Sequence, residues 1–292
     1  RRPPRSTPKP SSAASDVYKR QLFRLSALVE TRPSSHHSHL KPAVVEYNTL
    51  STLPIHCIQY DQGEDRWLCT LLIERGWRVE YCAVSDSATA CPETFSEFYN
   101  QRRRWTPSTI ANLVEVLRWW RPLLAQGSIS VLHLVYQVLM LAGTAIGPGS
   151  IFILLVGGCQ LCLGVSYWAS FILNLVPMVS YILVCLFASP RQQITWAKVL
   201  SLIYGLAMIA IMFSLVLDIF GDCPWMPSTV SMELTIAAFL LVGLLHPSEA
   251  PYLLHGIVYY LTIPCMYMLL PIFCVFNLDD VSWGTRDSTK KE

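Results

Sequence analysis

Apolar and polar positions follow three successive patterns along the chain. Residues 1–50 show no periodicity; Pro, Ser, Arg and His dominate, from Arg1-Arg-Pro-Pro-Arg5 to Ser34-Ser-His-His-Ser-His39. Such a composition cannot bury enough apolar surface to fold alone, so the segment is expected to be disordered or non-native. It has no apolar centre followed by a cleavage site, so no secretory leader is expected. Ser11-Ser-Ala-Ala-Ser-Asp-Val-Tyr-Lys-Arg-Gln21 reads like sequence joined on by transcript assembly.

Residues 51–125 are patterned like a soluble domain. Trp67, Leu68, Leu71 and Leu72 fall at helical spacing between Glu64 and Arg75, and Gly76 supplies the stop. Arg78 to Val84 alternates as a half-buried strand does. A second helix is predicted from Pro92, carrying Phe95, Phe98 and Tyr99 towards Arg104. Helix, strand and helix in that order fit the end of an α/β domain, over 51–105, too small to be a complete one. Residues 106–125 place Ile110, Leu113, Val114 and Leu117 on one face, which predicts an amphipathic helix at a membrane surface; a bundle helix packed on protein is the alternative.

Residues 126–278 are apolar almost throughout. A bilayer-spanning helix needs about 20 mainly apolar residues, and candidate spans fall near 128–147, 150–166, 169–188, 196–217, 229–246 and 253–276, about six in all. The run 150–188 is too long for one span and is broken near Ser166-Tyr-Trp168, which predicts a tight hairpin. Residues 279–292 form a polar tail.

Composition sharpens this picture. Hydrophobic residues make up 52% and charged residues 14%, against the roughly 25% charge of an ordinary soluble domain. The fold class expected is an α-helical polytopic membrane protein carrying the C-terminal portion of a cytosolic α/β domain. A net charge of +2, from 22 basic and 20 acidic residues, gives no reason to expect nucleic acid. Within 126–278 the only bases are Arg191 and Lys198, against Asp218, Asp222, Glu233 and Glu249. Arg118 and Arg121 directly precede the first span, so the positive-inside rule puts the soluble part in the cytosol; Arg191 and Lys198 then fall outside, a mild conflict. Trp119, Trp120, Trp168, Trp196 and Trp225 flank spans as interfacial aromatics do. Of ten cysteines, Cys159, Cys162, Cys185, Cys265 and Cys274 lie in apolar runs, and Cys159-Gln-Leu-Cys162 lacks a second pair or histidine, so packing explains them better than zinc or disulfides.

Two clusters stand apart from the fold-making residues. Gly63-Glu-Asp-Arg-Trp67 sets Glu64 and Asp65 at a helix N-terminus, where partial positive charge favours an ionised acid. They read as helix caps or as a general base. Gln101-Arg-Arg-Arg-Trp105 sets Arg102, Arg103 and Arg104 before a large aromatic, and alone would read as a solvated or headgroup-facing patch. In order, and followed by spans, the two form an unusual combination.

Gln59 to Leu72, Glu97 to Thr109 and the terminal Ser282-Trp-Gly-Thr-Arg286 closely resemble the animal-type chitin synthases. The resemblance covers residues 56–287. That family comprises processive, inverting glycosyltransferases with a cytosolic GT-A fold that pass their polymer out through their own membrane helices. The resemblance implies transfer of N-acetylglucosamine from UDP-N-acetylglucosamine to a growing β-1,4 chitin chain. It casts Asp65 as the catalytic base for the acceptor's 4-hydroxyl, with Glu64 in support. It casts Trp105 as the stacking platform for the acceptor sugar, and Gln101 and Arg104 as acceptor and diphosphate ligands. Arg102 and Arg103 would share the phosphate work or face lipid. Ser282, Trp283, Gly284, Thr285 and Arg286 match the family's channel-mouth motif; Asp287 stands where animal members usually carry glutamate.

The family's donor-binding half, with its Asp-x-Asp motif, has no counterpart upstream of Gly63. A divalent cation, Mg or Mn, is expected for the full-length enzyme, with its ligands outside this chain, and this chain is expected to be an inactive fragment. A multi-pass location in the plasma membrane and a homo-oligomer are compatible with the family. Cellulose and hyaluronan synthases share the acid and Gln-x-x-Arg-Trp logic, but cellulose synthases word the first motif Thr-Glu-Asp. A transporter or other non-catalytic membrane protein would need an ionisable pathway, and the ionisable residues in or near spans, His133 and Glu233 among them, are not arranged as a relay.

Overall fold

The computed structural model describes residues 23–30, 40–82, 91–219, 227–248 and 250–280. By its contacts the chain divides into two compact units, Arg1–Leu141 with Asp280–Glu292, and Ala142–Asp279.

The first unit is helical. It contains α1 (Leu25–Val29), α2 (Ala43–Tyr47), a short α3 (Pro54–His56) that widens into a π turn over Cys57–Asp61, α4 (Glu64–Glu74), α5 (Phe95–Arg118) and α6 (Trp120–Ala125). Helix α4 organises the core. Its Trp67, Leu71 and Leu72 are buried with Ala27 and Ala43, and Leu28, Tyr47, Tyr60 and Trp77 close around them. The small side chains of Ala27 and Ala43 let two short helices approach the indole and leucines of α4 closely. His56, Tyr60 and Trp67 stack in series, with ring centroids 4.8 and 4.7 Å apart.

Arg75 ends α4 with no exposed surface. A buried guanidinium is tolerated only when its donors are satisfied. Here Nε donates to the Lys41 carbonyl (2.7 Å), Nη1 to the Leu71 carbonyl (2.8 Å), and Nη2 pairs with the Glu46 carboxylate. Within the segment 1–50, expected to be disordered or non-native, the described parts 23–30 and 40–50 contribute Ala27, Ala43, Glu46 and Tyr47 to the folded unit. Residues 1–22 and 31–39 lie outside the described residues.

Helix α4 stops where the sequence says it should, with Gly76 in the left-handed region at φ 82°. The expected strand from Arg78 does not form among the described residues. Residues 78–82 adopt no regular structure and pair with no strand among the described residues, and Val79 and Tyr81 are exposed instead of half-buried. The next helix begins at Phe95, not Pro92, because Thr94 and Glu97 form a capping box: Glu97 N–H donates to Thr94 Oγ1 (3.2 Å) and Thr94 N–H to Glu97 Oε2 (3.3 Å). Helix α5 then runs unbroken through Pro107 to Arg118, so the expected boundary at 105/106 falls inside one helix. Of the stripe expected to face a membrane, Val114 is exposed and Ile110, Leu113 and Leu117 are half-buried, while Ser108, Asn112 and Val116 form the packed face.

The apolar part contains α7 (Val131–Leu163), α8 (Tyr167–Phe187), α9 (Pro190–Ile219), α10 (Pro227–Leu245), a 3-10 turn over Ala250–Leu254, α11 (His255–Leu261), a second π turn over Cys265–Leu269 and α12 (Leu270–Phe276). Among the described residues, four stretches are long and apolar enough to cross a membrane: Val131–Leu163, Tyr167–Phe187, Pro190–Ser214 and Ala250–Phe276. The sequence led us to expect about six. The spans placed at 128–147 and 150–166 are one 33-residue helix. Gly147-Pro148-Gly149 is carried within it, as apolar spans often carry Gly and Pro. The hairpin falls where the sequence puts it, at Gly164 (φ 64°) and Ser166, whose hydroxyl accepts from Ala169 N–H (3.4 Å). Residues 229–246 form the shorter α10, of which Glu233–Leu245 is the apolar part.

Small and polar residues fasten these apolar helices, the usual substitute for a hydrophobic driving force. A Cβ on Gly158 would lie 2.2 Å from Ile211 Cδ1. Asn277 Nδ2 donates to Gln193 Oε1 (2.7 Å), and Gln193 Nε2 to the Cys185 and Ala188 carbonyls (3.1 and 3.0 Å).

One titration follows from the first unit. Burial, and then repulsion from Glu115, push the Glu74 carboxyl from its ordinary 4.5 up to about 8, although Arg75 opposes this. The folded chain therefore holds a proton that the unfolded chain releases, and this group's contribution to stability is full below pH 4.5 and is lost as pH rises towards 8. Thermal unfolding of wild type and Glu74→Gln across that window should show the wild type losing stability with rising pH more steeply than the variant. Parallel curves would contradict the burial of an ionisable Glu74.

Candidate functional site

The acid cluster opens α4. Gly63 is the N-cap and supplies no side-chain capping bond. Glu64 and Asp65 follow it in the first turn of the helix. Asp65 is exposed and its Oδ1 accepts the N–H of Arg66 (2.9 Å). Asp65 is thus accessible at the positive end of the helix dipole. Glu64 beside it is half-buried.

The basic cluster lies in the first half of α5. At 100° per residue, Gln101, Arg104 and Trp105 share one face with Ser108 and Asn112. That face meets α4. Gly63 packs so closely on α5 that an added Cβ would lie 2.5 Å from Ser108 Cβ and 2.9 Å from its Oγ. Thr70 Oγ1 donates to Asn112 Oδ1 (3.2 Å), and Asn112 Nδ2 donates in turn to the Ser108 carbonyl (2.9 Å). Gln59, from the π turn before α4, donates Nε2 to the Ala111 carbonyl (3.3 Å). Arg66, next to Asp65, donates Nη1 to the Trp105 carbonyl (3.1 Å), with its guanidinium carbon 5.8 Å from the indole centroid. Thus Asp65 and Trp105, far apart in sequence, are linked through a single intervening side chain.

The three arginines do different things. Arg102 is half-buried and lies over both Phe98 (5.3 Å) and Trp105 (5.0 Å), within cation–π range. Arg103 is buried and paired with Asp280, so its lipid-facing alternative does not hold. Arg104 is buried, and Gln101 and Trp105 are half-buried. Ser282, Trp283, Gly284, Thr285 and Arg286 lie outside the described residues. Among the described residues no three His, Cys, Asp or Glu side chains come together as a metal site.

Sequence reasoning missed Arg66, Thr70, Ser108, Asn112 and Asp280. The signal for the middle three was present as a small-or-polar stripe, Gly63 and Thr70 on one side and Ser108 and Asn112 on the other.

A soluble motif unit leading into long apolar helices places the chain among multi-span membrane proteins. Within that class, the chitin synthase family model matches residues 40–225, and the chain belongs to the chitin synthase family. It is 43% identical over 245 residues to chitin synthase chs-2 of Caenorhabditis elegans, covering 84% of this chain and 15% of that protein. It is 40% identical over 268 residues to a chitin synthase of Meloidogyne artiellia, covering 91% of this chain and 14% of that protein. Against chitin synthase chs-1 of C. elegans the figures are 35% over 271 residues, 92% and 20%. The chain thus spans a fifth or less of the length of these relatives, and the animal-type resemblance drawn from the motifs is shown.

The contact at Gly63 can be tested by non-additivity. Gly63→Ala should lower the unfolding midpoint, since overpacking costs roughly 1–3 kcal/mol, and adding Ser108→Gly should cost less than the two single effects combined. Additive losses would mean that these two residues do not meet.

Proposed function

We propose that the protein carrying this chain transfers N-acetylglucosamine from UDP-N-acetylglucosamine to the end of a growing β-1,4 chitin chain and passes the polymer through its membrane helices. The observation that carries this reading is the juxtaposition of an exposed, dipole-supported Asp65 with the Gln101, Arg104 and Trp105 face, fixed by Arg66 and the Gly63 contact.

In this reading the acceptor's O4 attacks the donor's anomeric carbon from the side opposite the diphosphate. A new C–O bond forms as the bond to UDP breaks, and the configuration inverts. The hydroxyl proton passes to the Asp65 carboxylate, and Glu64 keeps the local charge negative. Trp105 stacks on the acceptor ring and orients O4, while Gln101 and Arg104 bind the departing diphosphate, whose oxygens suit a guanidinium fork. The described residues do not offer a set of ligands for the divalent cation, Mg or Mn, expected with the diphosphate; those ligands are proposed to lie outside this chain, and no step is derived through the metal. Residues 51–105 are read as the C-terminal portion of a cytosolic α/β GT-A domain. The plasma membrane is the proposed location.

Two assays on the full-length protein in membranes test the reading. Asp65→Asn should lower polymer synthesis by about 100-fold or more, the contribution of a general base, at unchanged expression and with little change in KM. Normal synthesis by that variant would remove Asp65 from the chemistry. With UDP-N-acetylglucosamine and UDP-glucose side by side, the former should be the donor; a preference for glucose would assign the protein to a cellulose-type activity.

A further inference from the structure

The proposed function leaves Arg103 without a role, and the geometry gives it one. On a helix at 100° per residue, Arg103 points about 150° away from the mean direction of Gln101, Arg104 and Trp105. It therefore cannot share a ligand with them while the helix is intact. Nor is it solvated: only 4% of its side chain is exposed, and its Nη1 pairs with Asp280 Oδ2. Asp280 is held a second time through its backbone, whose carbonyl accepts from Gln62 Nε2 (3.3 Å). Gln62 is itself buried and immediately precedes Gly63, the residue that sets the contact between the two motif helices.

We infer that Arg103, Asp280 and Gln62 form a clamp in which Arg103 is a positioning residue: it anchors the back of α5 so that the opposite face presents Gln101, Arg104 and Trp105 at a fixed rotation. This inference rests on the proposed function for its effect on catalysis, but not for its effect on the helix. The physical basis is the asymmetry of a buried ion pair. Its net stabilisation is small, yet removing one partner strands a buried charge, and the helix then rotates or slides to rehydrate it. A rotation of a few degrees at Arg103 displaces the Trp105 indole and the Arg104 guanidinium together, because all three ride on one rigid element. Such a change lowers turnover without altering which groups bind the donor. Pro107 makes this stretch of α5 more dependent on side-chain anchoring, since it cannot donate the backbone hydrogen bond that the Arg103 carbonyl would otherwise accept.

Asp280 is the residue to change, because a third of its side chain is exposed and asparagine keeps its size and leaves the backbone carbonyl that accepts from Gln62 in place. In the full-length protein in membranes with UDP-N-acetylglucosamine, Asp280→Asn should lower kcat about 10-fold with KM changed less than about two-fold, an interaction lost from the transition state and not from donor binding. Asp280→Glu, which keeps the charge, should retain most of the activity. Arg103→Gln with Asp280→Asn should be no worse than Arg103→Gln alone, since the pair acts as a unit. If instead Arg103 binds the diphosphate, Arg103→Gln raises KM for the donor whatever stands at 280, Asp280→Asn is silent, and the clamp is refuted. Hydrogen exchange of the amides of 101–106, without nucleotide, provides a readout independent of catalysis. It should be faster in Asp280→Asn than in wild type, and equal rates would overturn the clamp even if the wild-type protein proves to make no chitin. Faster exchange in a protein inactive on this donor would leave the clamp standing and remove the proposed function.

Discussion

The site depends on how closely two helices can approach at Gly63. A side chain at that position would drive its Cβ into Ser108, and the helix carrying Glu64 and Asp65 would be pushed off the helix carrying Gln101, Arg104 and Trp105. Close approach alone would not fix register. That comes from the polar bonds that the short distance permits, Thr70 to Asn112, Gln59 to the Ala111 carbonyl and Arg66 to the Trp105 carbonyl. Hydrogen bonds buried between helices are directional where apolar packing is not, so this interface specifies one alignment of an acid with an aromatic platform.

The core beneath it is built to the same end. Arg75, fully buried, closes the far end of α4 by gathering the Lys41 carbonyl, the Leu71 carbonyl and the Glu46 carboxylate. The helix that presents Asp65 at its N-terminus is thus anchored at its C-terminus by a charge that cannot leave without unmaking these contacts. Glu74, protonated by burial near neutral pH, keeps a second charge out of the same core.

What the sequence could show follows from the range over which its signals act. Periodic apolar residues and a glycine stop located α4 and its end at Gly76, and the break before Tyr167 was legible from local composition, because these features are settled within one or two turns. The capping box of Thr94 and Glu97 was equally local and was overlooked beside Pro92. The alternation from Arg78 shows only that a segment could pair; pairing needs a neighbour, and none lies against 78–82 among the described residues. The two spans expected between 128 and 166 form one helix, because an apolar environment lets Gly147-Pro148-Gly149 be carried within it. The motif residues were legible as types. Their division of labour was not: that Arg102 lies on Trp105 while Arg103 turns to Asp280 depends on a residue far along the chain.

The central claim is that the acid of α4 and the Gln101, Arg104 and Trp105 face of α5 converge on one bound donor and acceptor. A cryo-EM map of the full-length protein with UDP and a short chitin oligomer tests it most directly. The account predicts the oligomer's terminal ring stacked on Trp105 with its 4-hydroxyl within hydrogen-bond reach of Asp65, and the diphosphate on Gln101 and Arg104. A terminal sugar seated away from Trp105, or Asp65 turned from the acceptor with the diphosphate on another face of α5, would contradict it.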